Sequence, residues 1–409
     1  MLFIGYAVTM KYIHRQIEPM IQKLMRSFPS LVISGPRQSG KSTLLINTLR
    51  DHQYITLDDP LTRERAAADP NFFLDSIGGP VIIDEIQLAP HLLSYIKMRI
   101  DGNRSKKGMY VFTGSQQFSM IKNLGDSLAG RIALLDLLPF SVSEKKKHLG
   151  KKTVLDTFIH AALTGSYPEL VLDKNIDVNT WYGSYIRTYL ERDIRSIYNI
   201  GNLRDFQRFM QLLAGRCSQL LNLSGFAKDL GVSVPAVKNW LSVLEASRMI
   251  YLLPPYYTNL GKRITKSPKI YFTDIGIVCY LTGIRDKAHL LQGPMAGALF
   301  ENYCMQETIK IFFNHGQQPQ IYYLRTSNDL EVDLLIEVSA QIVMPVEFKI
   351  SKTPSLSMGA NIARFRKLFS TLRIQKGLLV TMSELTVPLS AELTAISVNN
   401  YLKEVTNLT

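Results

Sequence analysis

The chain has 409 residues and a formal net charge of +13, too long for one ordinary hydrophobic core and basic enough to suggest a polyanion partner. Hydrophobic residues make up 46% and charged residues 20%, which excludes a disordered chain, and no apolar run approaches the roughly 20 residues that span a bilayer, so no membrane association is expected. Cys217, Cys279 and Cys304 are odd in number and far apart. That excludes a disulfide frame or a cysteine zinc cluster and points to a reducing cytoplasm.

The chain opens on Met1 to Met10, an apolar stretch too short, and without a preceding basic residue, to read as a signal peptide. Leu31 to Ser34 is a strand rich in β-branched residues, and Gly35-Pro36-Arg37-Gln38-Ser39-Gly40-Lys41-Ser42 follows it. Thr43 then starts an apolar helix. Strand, GxxxxGK[ST] loop and helix in that order are the context a phosphate-binding loop requires. The glycines let backbone N–H groups converge on phosphate oxygens, and the helix N-terminus adds positive potential. ATP with Mg²⁺ is the expected ligand. Gly35 through Thr43 would form its cradle, with Lys41 reaching the β- and γ-phosphates and Ser42 ligating Mg²⁺.

Tyr54 to Leu57, Val81 to Asp84 and Tyr110 to Thr113 read as further buried strands, bounded by turn residues and alternating with helical stretches. That alternation implies a parallel sheet with helices on both faces. Val81-Ile82-Ile83-Asp84-Glu85 is an apolar strand ending in two acids, an expensive arrangement unless a cation or water receives the charges. Asp84 is the candidate holder of Mg²⁺ through its water shell, and Glu85 the candidate base for the attacking water. Ser115, beyond the fourth strand, either senses the γ-phosphate or caps a turn. The lysine-rich run from Lys145 to Lys152 reads as a polar boundary.

From Val154 to Met249 the pattern is mainly helical. Between Trp181 and Leu290 stand 15 Lys and Arg against 7 Asp and Glu, so more than half of the net excess lies in the middle of the chain. Ser224 to Leu230 and Val234 to Glu245 read as a helix pair joined by Gly231-Val232-Ser233, with Ser233 as cap and Pro235 tolerated in the first turn. Val237, Trp240, Leu241 and Leu244 share one apolar face, while Lys238, Asn239 and Ser242 lie outside it. Met249 to Pro254 and Lys269 to Phe272 are candidate wing strands around a basic loop that includes Lys262 and Arg263. This is winged-helix grammar, which serves either a DNA major groove or a protein contact.

After Pro294 mixed helix and strand return. Glu331 to Ile336, a turn at Ser339-Ala340-Gln341, and Ile342 to Ile350 form a predicted hairpin. Strand period puts Glu347 and Lys349 on one polar face, which Asp333 can share. The helix from Ala298 to Phe313 offers Glu301. This arrangement resembles the PD-(D/E)xK nuclease core, where Asp333 and Glu347 would bind Mg²⁺, Lys349 would hold water or phosphate, and Glu301 would assist. An ordinary Glu–Lys alternation on a surface strand, or a nuclease fold kept for binding alone, are the competing readings.

GPRQSGKSTL, LDDP at Leu57 to Pro60, VIIDEIQLAP, FTGSQQF, LAGRIALLDLLPFSVSE, GSYPEL, YIRTYLERDI and YFTDIGIVCYLTG together resemble the AAA-type bacterial and archaeal ATPases with a C-terminal DUF4143 region. The resemblance implies ATP hydrolysis and adds Arg131, of the LAGR motif, as an arginine finger, a sensor or a structural ion pair. Family members usually begin near the equivalent of Met10, so Met1 to Thr9 reads as an extension. The expected architecture is an α/β P-loop NTPase with a parallel sheet over residues 1–150, a helical and winged-helix region over 151–290, and a PD-(D/E)xK-like α/β domain over 291–409. The expected function is ATP hydrolysis linked to DNA. The alternative is a nucleotide-driven switch that recruits a protein partner. Self-association stays open under both.

Overall fold

A computed structural model of the chain describes residues 12–114, 128–150, 152–189, 203–257, 267–326 and 329–409. Ser115, Lys262 and Arg263 lie outside them. The fold divides into two compact units, one holding residues 1–148, 167–176 and 313–316 and the other holding the rest. No helix among the described residues is long and apolar enough to cross a membrane.

In the first unit, β1 (Ser30–Ser34), β2 (Gln53–Thr56), β3 (Val81–Asp84), β4 (Tyr110–Gly114) and β5 (Ile132–Asp136) form a five-stranded sheet in the order β2-β3-β4-β1-β5. Every pairing is parallel. Alternation along the strands sends side chains to opposite faces. Leu31, Ile33, Ile82 and Val111 enter one core cluster, and Val32, Val81, Ile83 and Phe112 enter the other. Both faces are therefore covered, as parallel sheets require. Because all strands run the same way, Ser34, Asp136, Gly114, Asp84 and Thr56 end at one edge, by the registers Ser34↔Asp136, Ser34↔Gly114 and Thr56↔Asp84. Ligands of open parallel sheets bind at that carboxyl edge.

The run from Lys145 to Lys152 is not simply a solvated linker. Val142–Leu149 is a helix, and Lys145 is fully buried. The helix turns the first lysine of the run inward and leaves Lys146 outside.

In the second unit the helix pair forms as expected, one residue longer at its start. The Leu223–Leu230 helix is capped by Asn222, whose side chain accepts from Gly225 N at 3.0 Å, and it ends at Gly231 with φ +70°. Ser233 caps the Val234–Ala246 helix by accepting from Ala236 N. Val237, Trp240, Leu241 and Leu244 are buried, with Trp240 packed on Phe206 and Phe209 at ring distances of 5.7 and 5.4 Å. Lys238, Asn239 and Ser242 are exposed. The antiparallel ribbon of β6 (Ile250–Leu253) and β7 (Lys269–Phe272) follows.

The same unit carries a mixed seven-stranded sheet. It contains β8 (Ile321–Arg325), β9 (Glu331–Ser339), β10 (Ile342–Lys349), β11 (Arg373–Ile374), β12 (Gly377–Thr381), β13 (Val387–Ser390) and β14 (Leu393–Ser397). The order is β13-β14-β12-β10-β9-β8, with β11 beside β10. β10 is thus an interior strand, buried over six consecutive residues. This overturns the surface-strand reading of the Glu–Lys alternation: the polar face that holds Glu347 is itself covered, and Glu347 is only 1% exposed.

Candidate functional site

The loop after β1 is shaped by backbone conformations that few residues tolerate. Gly35 has φ +144°, and a Cβ there would meet the Leu137 carbonyl oxygen at 2.1 Å. Gly40 has φ +90°, and the intervening Gln38 φ +58°. The chain therefore wraps into a tight cradle that ends at helix α2 (Lys41–Thr48), whose first N–H groups face it. The Lys41 ammonium is buried in the cradle, donating to the Gly35 and Pro36 carbonyls at 3.0 and 2.9 Å. Ser39 is fully buried, and its hydroxyl has no hydrogen-bond partner among the described residues. A buried, unpaired hydroxyl is costly, and this one belongs to the loop between Gly35 and Gly40.

Asp84, at the end of β3, is 7% exposed and collects three hydroxyls. Ser42 donates to Oδ2 at 2.8 Å, Tyr54 to the same oxygen at 2.5 Å, and Thr113 to Oδ1. Burial and the neighbouring carboxylate raise the Tyr54 phenol well above its usual value, so Tyr54 stays a donor. Ser42 and Asp84 bring a hydroxyl and a carboxylate oxygen together across the cradle, the hard-donor pairing that Mg²⁺ favours. Glu85 follows with φ +57°, a strained value of the kind found at functional sites. Its amide approaches Thr113 Oγ1 at 3.4 Å, and its carboxylate accepts from Gln87. The β4 strand lies between β1 and β3, so Thr113 is placed between the loop and the two acids. Asp136, on the other side of β1, accepts from Ser34.

Arg131 makes a two-pronged ion pair with Asp101, at 2.7 and 2.9 Å. The side chain is about one-fifth exposed.

The carboxylates of the second unit also assemble. Asp333 Oδ2 accepts from Phe348 N at 2.9 Å. Lys349 reaches Glu347 Oε2 at 2.8 Å and Asp333 Oδ2 at 3.6 Å. Among the described residues, Glu347 Oε1 is buried without a partner. Glu301, on the Ala296–Asn314 helix, is held differently: Tyr271 donates to its Oε1 at 2.5 Å and Lys269 at 3.3 Å. Lys269 also pairs with Glu331 at 2.6 Å. Burial, then the Asp333 charge, push the Glu301 carboxyl up to about 7 and the Glu347 carboxyl well above its usual range. Burial opposes the charges on Lys269 and Lys349, yet the surrounding carboxylates raise both above the ordinary lysine value. The five groups form one electrostatic cluster. Among the described residues, no group of three or more His, Cys, Asp and Glu is disposed to hold a metal ion. Asp333 and Glu347, with its unpartnered oxygen, are a two-carboxylate set that fits a divalent cation.

Residues 27–146 match the AAA domain family, and residues 296–401 match a domain of unknown function, DUF4143. The chain is an AAA-type P-loop protein with a C-terminal DUF4143 domain. Between these, residues 155–288 of this AAA–DUF4143 protein match a second domain of unknown function, DUF8612. Uncharacterized proteins of Mycobacterium bovis and Mycobacterium tuberculosis are each 27% identical over 384 residues, which is 93% of this chain and 83% of theirs. Among solved structures, a Walker-type ATPase of Pyrococcus abyssi aligns with 65% of this chain and 94% of its own, at 13% identity and TM-score 0.43. The RuvB Holliday junction branch migration motor of Thermotoga maritima aligns with 58% and 89%, at 14% identity and TM-score 0.28.

Sequence reasoning missed Tyr54, Thr113 and Asp136 around the loop. Thr113 and Asp136 sit at or near strand carboxyl ends, which is the signal that could have found them, whereas Tyr54 is the second residue of β2 and carries no such signal. It also missed Lys269 and Tyr271, which alternate on β7. They fall within the DUF8612 match, while Glu301, Asp333, Glu347 and Lys349 fall within the DUF4143 match.

Proposed function

We propose that this chain binds and hydrolyses ATP with Mg²⁺, and that it couples this to DNA. The observation that carries the first part is the Lys41 ammonium held inside a glycine-shaped cradle, with Ser42 bonded to Asp84 across it. Lys41 binds the terminal phosphates, and the α2 amides bind the rest of the chain of phosphates. Mg²⁺, when bound, offsets the charge that develops on the phosphates, and Ser42 and Asp84 are the residues to hold it. Glu85 accepts the proton of the attacking water, and Thr113 orients the two acids. Replacing Glu85 by Gln is expected to leave ATP binding intact and to slow phosphate release by about a hundredfold or more. Turnover at the wild-type rate would remove Glu85 from the mechanism.

The DNA part rests on the exposed Lys238, Asn239 and Ser242, on a helix whose opposite face is buried, and on the charge excess of the middle region. In this reading the helix pair and the β6–β7 ribbon act as a winged helix. The cluster of Asp333, Glu347 and Lys349 then serves as a PD-(D/E)xK-like site that holds a divalent cation against DNA phosphate. Replacing Lys238, Lys262 and Arg263 together by Ala should weaken duplex binding. It should also make the slope of log affinity against log salt shallower by about 2 to 3, because each lost phosphate contact retains roughly one counterion. ATP hydrolysis without DNA should not change. An unchanged salt slope would favour the alternative, a nucleotide switch that recruits a protein.

A further inference from the structure

We propose that Lys269 and Tyr271 form an internal latch on the carboxylate cluster, holding Glu301 out of the cation site of Asp333 and Glu347, so that the β6–β7 ribbon and a divalent cation compete for the same charges. The inference rests on the divalent-cation reading of that cluster given above.

Three observations support it. The first is that the cluster is supplied by two parts of the chain. Asp333 and Glu347 stand on β9 and β10 and Glu301 on the Ala296–Asn314 helix, whereas Lys269 and Tyr271 come from β7. The second is that Lys269 is itself almost entirely buried and sits between Glu301 Oε1 at 3.3 Å and Glu331 Oε1 at 2.6 Å. The Tyr323 ring is also near, with the ammonium 5.8 Å from the centroid. A buried ammonium among carboxylates does the electrostatic work of a cation, and with Lys349 already on Glu347 and Asp333, a divalent cation added beside Lys269 meets further repulsion. The third is the unequal state of the acids. Among the described residues, both hydrogen bonds to Glu301 come from the ribbon, while Glu347 Oε1 is buried without a partner. The donor set that a divalent cation would take is therefore split: the ribbon engages Glu301, whereas Lys349 holds Glu347 Oε2 at 2.8 Å and stands 3.6 Å from Asp333 Oδ2, which leaves Glu347 Oε1 as the open oxygen.

The ribbon is also placed to transmit movement. Thr273, just after β7, donates its backbone N–H to Met249 O at 3.0 Å, and Met249 lies between the Val234–Ala246 helix and β6. A ligand that shifts this helix from its exposed Lys238 face would pull on the strand that carries Lys269 and Tyr271. In the latched arrangement Glu301 is a positioning group for the lysine. Once released, it becomes a third oxygen donor.

Mn²⁺ binding to the nucleotide-free full-length protein, read by loss of the free-ion electron paramagnetic resonance signal, tests the latch without any activity. Lys269→Met keeps the length of the side chain and removes the charge. It is expected to bind Mn²⁺ on the order of tenfold more tightly than the wild type. Tyr271→Phe, which only frees Glu301 from a hydrogen bond, should shift binding in the same direction by a smaller factor. Adding Asp333→Asn should erase both gains. Unchanged or weaker Mn²⁺ binding in a cooperatively melting Lys269→Met protein overturns the latch while leaving the cation site in place. If Lys269→Met does not fold, Tyr271→Phe decides by the same criterion. If neither the wild type nor the two variants show Mn²⁺ binding that depends on Asp333, the cation reading itself fails and the latch falls with it.

Discussion

Lys41→Ala is expected to reduce ATP hydrolysis by on the order of a thousandfold and to remove most of the nucleotide affinity, while the protein still folds. The size of the effect follows from where the ammonium sits. It is a single charge enclosed by loop carbonyls and helix amides, with little water to take its place, and fixed charges aimed at transferring phosphates are worth about 10²–10³ each in rate. The structural cost is smaller. The Gly35 and Pro36 carbonyls each lose one neighbour, at about 1 kcal/mol per hydrogen bond before water replaces it. Phosphate release, fluorescent-nucleotide binding and a melting curve separate these contributions. The expected pattern is lost turnover, lost binding and a melting temperature that ADP no longer raises. Hydrolysis at the wild-type rate would mean that the reaction occurs elsewhere in the chain.

The nucleotide site was legible because its physics is local. A strand of Leu31 to Ser34, two glycines at fixed spacing and a helix beginning at Lys41 leave the backbone few alternatives, and the same holds for Asp84 at the end of an apolar strand. β5 was harder. Ile132 to Asp136 is short and begins beside the turn at Arg131, so its apolar run did not declare itself as a strand. It matters because it brings Asp136 beside Ser34. The β9–β10 hairpin was also legible from alternation and the turn at Gln341. What alternation could not give was the depth of the strand. Period two assigns Glu347 and Lys349 to one face without saying whether that face meets water or another layer, and here Glu347 is buried while Lys349, two residues on, is 40% exposed. Lys269 illustrates the general limit. From sequence it is one more cation in a basic loop. Its role is set by acids at positions 301 and 331, which only the fold brings within 3.3 and 2.6 Å.

Arg15 was invisible for the same reason, and it carries the second large expectation. It precedes α1 (Glu18–Ser27) in a stretch with no motif, yet its guanidinium is almost completely buried. Nε pairs with Glu144 at 2.9 Å, one terminal nitrogen donates to the Ser39 carbonyl of the phosphate-binding loop at 3.0 Å, and the other donates to the Leu138 carbonyl at 2.6 Å. The Phe140 ring lies 4.7 Å from the guanidinium carbon. One planar cation thus ties the start of the chain, the loop and the segment after β5 into a single support, a geometry that a lysine cannot reproduce. Arg15→Met fills most of the volume but leaves the buried Glu144 carboxylate without its counter-charge, and breaking such a pair from one side costs about 3–5 kcal/mol. The lower end applies, because Glu144 still accepts from the Gln16 and Ser141 amides at 2.9 and 2.7 Å. A loss of about 3 kcal/mol corresponds to a fall of roughly 6–12 °C in melting temperature for a unit of this size. The calorimetric transition that ADP raises belongs to this unit and is the one to follow. Adding Glu144→Gln to Arg15→Met removes the orphaned charge, so the double variant should melt above the single one. A double variant that melts lower than Arg15→Met, or an Arg15→Met protein as stable as the wild type, would show that the pair is not what supports the loop.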